Sequence, residues 1–377
     1  MNQTWWRSPK DVDKDQLSIY SLPLDGSHLV VGPPGSGKTN VLLLRAVYLS
    51  RGGRPNFKVL TFSRSLVEFI RNGVRQNGKI PEDRIQTVAG WQGKLHFDLT
   101  GKSFSYPSGA SHNDKRRFRI DSLIEVIGRG LVPKNYFDAI LVDEAQDLWA
   151  GEVDIISRIT QNMFFVGDNR QRIYAENEGL PAVRALGIKE HALKYHYRIG
   201  RRICRAADRI LPDVPTLTEF CQYDEVALPS SVKSHECASR TEQMQKIVKR
   251  LETQLRAYPE EWIGVLTPTN QLLDEFEDFA QETGIGDKLA VHREGARDFH
   301  DSRPIIAMTV HSAKGTEFRA VHLFGAEEFG HYYRRELGFT LVTRAKTVVD
   351  LYFTGAVDGS LLAAFQEDRV PDPTEVF

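Results

Sequence analysis

Cysteine is scarce in this sequence. Only Cys204, Cys221 and Cys237 occur among 377 residues, and they lie far apart. An odd, widely spaced set does not make a disulfide framework, and it lacks the paired spacing of a zinc motif. A reducing compartment such as the cytoplasm is therefore expected. A strong charge of one sign is also missing, because 49 lysines and arginines nearly balance 50 aspartates and glutamates. This balance excludes a globally basic nucleic-acid-binding protein but allows a local basic groove.

Long apolar runs are missing as well. No stretch reaches the roughly 20 apolar residues that a membrane-spanning helix needs. The N-terminus, where charged residues follow Trp5 and Trp6, does not resemble a signal peptide. No membrane association is expected. What is present is an ordinary globular composition, 41% hydrophobic and 26% charged, in a chain long enough for about two domains.

The most informative segment is a glycine-rich loop that fits the phosphate-binding pattern G-x-x-x-x-G-K-[ST]. An apolar run precedes it and a helix-compatible run beginning at Asn40 follows, so the segment is predicted to be strand, loop and helix. The loop consists of Gly32, Pro33, Pro34, Gly35, Ser36, Gly37, Lys38 and Thr39. Its glycines let backbone N–H groups surround phosphate oxygens, and the helix start favours negative charge. Lys38 is predicted to neutralise the β- and γ-phosphates of ATP, and Thr39 to bind Mg²⁺. A plain glycine turn in the core is the weaker interpretation.

Two adjacent carboxylates, Asp143 and Glu144, directly follow an apolar run at residues 139–142. Asp143 can hold magnesium, directly or through water, and Glu144 can polarise the attacking water as a general base. A solvated helix start is the alternative interpretation of such a pair, and the presence of the glycine loop makes it the weaker one. Gln171 follows another buried strand and could sense the γ-phosphate, while Gln16, shortly before the glycine loop, could read the adenine edge.

Strands and helices alternate through both halves of the chain, which predicts an α/β protein with parallel sheets. A linker-like stretch near residue 185 separates the two predicted domains, 1–185 and 186–377. In the second half, Arg198 precedes a glycine and Arg344 begins a helix. An arginine from a second domain can stabilise charge on a transferred phosphoryl group.

Several aromatic and polar residues are candidates for contacting a nucleic acid. Phe62 and Ser63 end a predicted strand, and a core ring beside a helix cap is an equally good interpretation of them. Trp91 lies in a loop that is expected to be exposed, and Tyr174 could stack on a base. The basic residues 115–119 are more typical of a solvated helix start than of a nucleic-acid contact.

The ordered motifs resemble those of superfamily 1A helicases of the UvrD/Rep type. The matching strings are VDEAQD at 142–147, VGDNRQRIY at 166–174, YR at 197–198, TVHSAKGTEF at 309–318 and LVTRA at 341–345. The resemblance implies two RecA-like P-loop NTPase domains with mainly parallel sheets, helices on both faces and ATP bound between them. It implies ATP-driven, 3′-to-5′ translocation on single-stranded DNA.

The resemblance also implies roles for individual residues. Gln16 would read adenine, Gln171, Arg198 and Arg344 would contact the γ-phosphate, and Glu317 would approach the sugar or the phosphate. The DNA track would use Phe62, Ser63, Tyr174 and His311, with Trp91 as a possible addition.

The sequence also departs from the family. Residues 61–66, Arg172 and His196 differ from the usual motifs. The stretches 101–133 and 291–305 are too short for the family's large inserted subdomains, so a minimal motor is expected, better suited to translocation than to processive unwinding. The alternative hypothesis is a nucleotide-gated interaction module that serves a partner protein, such as a nuclease in DNA repair or phage defence. RNA stays open as the track.

Overall fold

The computed structural model describes residues 12–77, 80–130, 132–171, 178–212, 216–293 and 303–366. These residues form two compact units, which divide between Tyr195 and His196. The division comes later than the expected boundary at 185/186, because a further edge strand follows that point and pairs with the first sheet. Each unit has its own six-stranded sheet.

The first unit consists of strands β1 to β6 and helices α1 to α7 within its described residues. The strands are β1 (His28–Val31), β2 (Phe57–Thr61), β3 (Ile85–Thr87), β4 (Ala139–Val142), β5 (Met163–Gly167) and β6 (Lys189–Ala192). The helices are α1 (Lys14–Tyr20), α2 (Lys38–Arg51), α3 (Arg64–Asn77), α4 (Val88–Thr100), α5 (His112–Gly128), α6 (Ala150–Ile159) and α7 (Gly179–Ala185).

The first sheet has the strand order β3-β2-β4-β5-β1-β6, and all its described pairings are parallel. Because successive side chains of a strand point to opposite faces, the sheet has two apolar faces. Val30 and Leu141 pack on one face with apolar residues of α2 and α3. Leu29 and Val142 pack on the other with residues of α4, α5 and α6.

The second unit has the same architecture. Its strands are β7 (Ser231–Glu236), β8 (Ile263–Thr267), β9 (Leu289–His292), β10 (Ile305–Thr309), β11 (Phe318–Leu323) and β12 (Ala345–Phe353). Its helices are α8 (Arg201–Ile210), α9 (Arg240–Ala257), α10 (Asn270–Glu282), α11 (Arg335–Val342) and α12 (Gly359–Ala364). The strand order is β7-β12-β11-β8-β10-β9, again with parallel pairings. Apolar residues of α9 and α10 cover one face of this sheet.

The two parallel sheets with helices on both faces confirm the predicted α/β class. In such sheets ligands bind beyond the carboxyl ends of the strands. The glycine loop follows β1, Phe62 follows β2, Asp143 follows β4 and Gln171 lies shortly after β5, so this edge of the first sheet gathers predicted site residues. Among the helices described, none combines the length and the apolar character needed to cross a bilayer.

Candidate nucleotide-binding site

The glycine loop connects β1 to α2 in the conformation that its sequence predicts. Gly35 and Gly37 adopt left-handed backbone angles, with φ of 77° and 83°. The backbone angle at Gly37 favours glycine, and a Cβ there would also come within 2.5 Å of the Gln16 amide nitrogen and displace it. The buried Ser36 hydroxyl has no hydrogen-bond partner among the described residues. A buried polar atom of this kind fits a site for a polar ligand such as phosphate.

Lys38 folds back over this loop. Its Nζ donates to the carbonyl oxygens of Gly32 and Pro33 at 2.8 and 2.9 Å, and its side chain is almost fully buried. Asn40, on the same first turn of α2, is buried as well. The ammonium group is therefore fixed at the loop and at the N-terminus of a helix, where both charge and dipole favour an anion.

The first unit brings Thr39 and Asp143 together across 104 positions of sequence. Thr39 Oγ1 donates to Asp143 Oδ2 at 2.7 Å. Burial, together with the charge of neighbouring Glu144, raises the pKa of the Asp143 carboxyl to about 7. A hydroxyl beside a buried carboxylate is the ligand type that Mg²⁺ takes in phosphate-binding loops. These two oxygens thus fit the predicted magnesium site.

Glu144 has an unusual backbone. Its φ of 54° makes it the one non-glycine residue with positive φ in the described chain. Such strain is found preferentially at functional sites. Its backbone N–H donates to Asp143 Oδ1 at 2.9 Å, and its carboxylate accepts a very short hydrogen bond from the Gln146 amide. The predicted general base is therefore held by a neighbouring amide.

A polar chain links Glu144 to Gln171. Gln146 donates to Glu144 through Nε2 and accepts from the Asp168 backbone N–H through Oε1 at 3.0 Å. Asp168 Oδ2 in turn accepts from Gln171 Nε2 at 3.1 Å. Gln146, Asp168 and Gln171 are all buried. Gln171 was predicted from the sequence but Gln146 and Asp168 were not, although they lie inside the motifs VDEAQD and VGDNRQRIY.

Gln16 lies against the glycine loop. Its Nε2 donates to the Ser36 carbonyl at 2.8 Å, and its Oε1 accepts from the Asp13 backbone N–H at 3.3 Å. The Asp13 side chain reciprocates by accepting from the Gln16 backbone, which caps α1. Both ends of the Gln16 amide are thus bonded to the protein in this structure, and an adenine base would have to compete for them.

In the second unit, three predicted residues lie together. Arg198 and Glu317 form a very short ion pair. Burial opposes ionisation of Glu317, but the charges of Arg198, Lys346 and Arg344 hold the pKa of its carboxyl below the usual value. Arg344 is buried and donates to the carbonyl oxygens of Thr340 and Thr316 at 3.1 and 3.3 Å. The cluster therefore concentrates positive charge beside Glu317.

The residues predicted to contact a nucleic acid differ in their exposure. The prediction that Trp91 is exposed is wrong, because it lies in α4, is 1% exposed and packs near Phe137 in the core. Phe62 is half-buried, and Ser63 accepts from the Leu66 backbone N–H at the start of α3. His311 is exposed. Tyr174 lies outside the described residues.

The basic segment 115–119 is not simply solvated. Arg116 is buried, pairs with Glu152 through Nε and Oε1 at 3.0 Å, and lies over the rings of Phe62 and Trp149 at 4.6 and 4.5 Å. Arg119 is buried too and donates to Gln92. These arginines are buried because carboxylate, amide and aromatic side chains in the core interact with their guanidinium groups.

Comparisons with known proteins match both halves of the chain. Residues 22–177 match the family of AAA domains, and residues 304–352 match the UvrD-like helicase C-terminal domain. Among curated proteins, the chain is similar to a probable DNA helicase of Mycoplasma pneumoniae (strain ATCC 29342 / M129), with 24% identity over 204 residues. This region is 50% of the chain and 36% of that relative, so the chain spans little more than a third of the relative's length.

Two solved structures are also similar. One is the PRRSV helicase, with a TM-score of 0.43 and 15% identity, covering 89% of this chain and 54% of that chain. The other is the C-terminal domain of a possible DNA helicase from Lactobacillus plantarum WCFS1, with a TM-score of 0.34 and 18% identity, covering 45% of this chain and 94% of that chain.

Proposed function

We propose that this chain is a UvrD-like helicase of superfamily 1 that hydrolyses ATP in response to single-stranded DNA and translocates along the strand. The matches of residues 22–177 to AAA domains and of residues 304–352 to the UvrD-like helicase C-terminal domain support this proposal. One observation carries the proposal. Two pairs of consecutive residues, Lys38–Thr39 and Asp143–Glu144, meet at one edge of a parallel sheet although they are far apart in sequence. They supply a lysine for the phosphates, a hydroxyl–carboxylate pair and an oriented base.

The glycine loop binds the phosphates in this proposal. Backbone N–H groups of residues 35–39 surround the phosphate oxygens, and Lys38 exchanges its two carbonyl partners for the β- and γ-phosphates. Gln16 reads the adenine edge once its amide leaves the Ser36 carbonyl. Thr39 and Asp143 would hold Mg²⁺, which when bound neutralises charge on the β- and γ-phosphates.

Glu144 accepts a proton from the attacking water, and Gln146 keeps its carboxylate oriented for that transfer. Gln171 senses the γ-phosphate, and Arg198 and Arg344 stabilise the charge that develops on the transferred group. Glu317 keeps the Arg198 guanidinium oriented before nucleotide arrives and approaches the sugar or the phosphate afterwards. These assignments predict that replacing any one of these side chains slows or abolishes turnover but leaves the protein folded.

The nucleic-acid track is proposed to use Phe62, Ser63, Tyr174 and His311. Aromatic stacking holds bases without regard to sequence, at roughly 1–3 kcal/mol per base. Trp91 has no part in it, because its ring is buried. The 3′-to-5′ direction is the direction that the family resemblance implies.

The proposal is tested by measuring ATP hydrolysis with single-stranded DNA, duplex DNA and RNA side by side. We expect single-stranded DNA to stimulate the rate many-fold, and Lys38→Ala to abolish the stimulated rate. Lys189→Ala, which changes an exposed lysine on β6 of the same unit, is the matched control and should leave the rate unchanged.

A stimulated rate that survives Lys38→Ala would refute the assignment of the site. Hydrolysis that ignores every nucleic acid, together with a co-purifying protein, would instead support the interaction-module hypothesis. Stimulation by RNA but not by DNA would identify RNA as the track, and the assignment of the nucleotide site would stand.

A further inference from the structure

A second chemically distinctive cluster lies in the second unit, and none of its residues is assigned to the nucleotide site. It combines the thiols of Cys204 and Cys221 with the imidazole of His196. All three side chains are buried, at 0%, 4% and 0% exposure. The two sulfurs and a ring nitrogen lie within 4.8 Å of one another. We propose that these three residues form a Cys₂His binding site for zinc.

The fold assembles this cluster from three separate segments. His196 and Cys221 are paired across an isolated parallel bridge, in which the His196 N–H donates to the Phe220 carbonyl and the Gln222 N–H donates to the His196 carbonyl. Helix α8 begins at Arg201 and carries Cys204 to the same place, with its Sγ 3.8 Å from His196 Nε2. Because backbone pairing holds two of the ligands and a helix holds the third, the site is largely preorganised.

The distances suit a tetrahedral ion. Zinc binds sulfur at about 2.3 Å and imidazole nitrogen at about 2.0–2.1 Å, so neighbouring ligand atoms are roughly 3.5–3.8 Å apart in a tetrahedron. The Cys204–His196 separation already has that size, and the whole set lies within 4.8 Å. Only small side-chain rotations are needed to close it around an ion.

Charge and the fourth position fit as well. Two thiolates and a neutral imidazole balance a divalent cation, so the loaded site carries no net charge into the interior. Both thiols now donate to one acceptor, the Ile199 carbonyl oxygen, at 3.5 and 3.4 Å for Cys204 and Cys221. That oxygen, or a water beside it, is placed to complete four-coordination.

Zinc has to replace existing hydrogen bonds. His196 Nε2 lies 2.8 Å from the Leu217 carbonyl, and a nitrogen bound to metal cannot donate. The imidazole proton can move to Nδ1, whereas the two thiol protons must leave. Binding of one zinc ion should therefore release about two protons, and this readout does not depend on any variant folding.

The test is titration of the metal-stripped, thiol-reduced full chain with Zn²⁺ and with Co²⁺ as a spectroscopic probe. We expect one equivalent of Co²⁺ to produce thiolate-to-metal charge-transfer absorption, and Zn²⁺ to displace it. Cys221→Ser and Cys204→Ser should weaken binding by more than about 100-fold, since even loss of an outer partner costs 10–100-fold. Cys237→Ser removes a buried cysteine of the same unit outside the cluster and should bind like the unchanged protein.

Three results would overturn the inference. The first is no charge-transfer band and no proton release with the unchanged protein. The second is equal weakening by Cys237→Ser and Cys221→Ser. The third is a metal stoichiometry that stays at one in both Cys204→Ser and Cys221→Ser with unchanged affinity, which would place the ion elsewhere.

Discussion

Replacing Gln146 by leucine should slow ATP hydrolysis without preventing ATP binding. The side chain is 2% exposed and serves two partners, since its Nε2 donates to the Glu144 carboxylate and its Oε1 accepts from the Asp168 N–H. Leucine has a similar volume and makes neither bond. Glu144 keeps its strained backbone but loses the amide that orients its carboxylate. In the proposed mechanism, Gln146 is thus a positioning residue, and Glu144 is the group that contacts the reacting water.

The magnitude follows from the bonds removed. A hydrogen bond to a charged group contributes about 1.5–3 kcal/mol. If that energy serves to align the carboxylate in the transition state, kcat should fall by about 10- to 150-fold, since each 1.36 kcal/mol is a factor of ten. The unpaired Asp168 N–H, now buried, should lower the free energy of unfolding by about 1–3 kcal/mol.

The assay is steady-state ATP hydrolysis at saturating single-stranded DNA, with binding of a fluorescent ATP analogue measured in parallel. We expect kcat to fall while nucleotide affinity stays within a few-fold. Gln271→Leu is the matched control, because Gln271 makes an exposed amide–carboxylate bond to Glu275 at 3.2 Å. A folded Gln146→Leu protein with unchanged kcat would refute the positioning role, and equal losses of kcat and affinity would show that Gln146 supports the glycine loop instead.

Three further predictions follow from single residues. Glu144→Gln should lower kcat by at least about 100-fold, as expected for loss of a general base, while ATP still binds in a filter assay. Trp91→Phe should leave DNA stimulation unchanged, and Trp91→Ala should lower the free energy of unfolding by about 3–5 kcal/mol in a denaturant titration. Burial opposes ionisation of Asp350, but the hydrogen bond from His235 and the charges of His322 and Arg250 lower its pKa. Its stabilising contribution is present above the unfolded-state pKa near 3.9 and is lost as pH falls through the lower folded value. The stability gap between the unchanged protein and Asp350→Asn should therefore shrink below about pH 4; a gap independent of pH would contradict this.

Strands β4, β5 and β10 could be predicted from the sequence because both their faces are buried. Residues 139–142, 163–167 and 305–309 are continuous apolar runs because parallel strands are covered on both sides. Strands β6 and β7, which lie at sheet edges, carry no such apolar run because their residues are largely polar, as in Lys189–Ala192. Such edges owe their structure to a neighbouring strand rather than to their own pattern.

Strand β11 lies inside its sheet and was missed for another reason. Arg319 and His322 interrupt its apolar pattern. His322 is fully buried because its ring nitrogens meet Gln254 Oε1 at 2.7 Å and the Tyr352 hydroxyl at 3.0 Å. A buried polar residue is tolerated when partners satisfy it, and these partners lie 68 and 30 positions away in the chain. The residues next to His322 in the sequence therefore do not indicate these partners.

The difference between local sequence patterns and distant contacts also explains which functional residues could be predicted. The phosphate loop was predicted because its chemistry is carried by consecutive backbone groups, so the eight-residue string already contains the site. Trp91 was wrongly expected at the surface because its neighbours Gly90, Gln92 and Gly93 do not indicate which face of the helix packs against the core. His196, Cys204 and Cys221 had no metal-binding spacing, and only the parallel bridge and α8 bring them within 4.8 Å. Sites made of backbone can therefore be predicted from the sequence, whereas sites made of distant side chains require the fold.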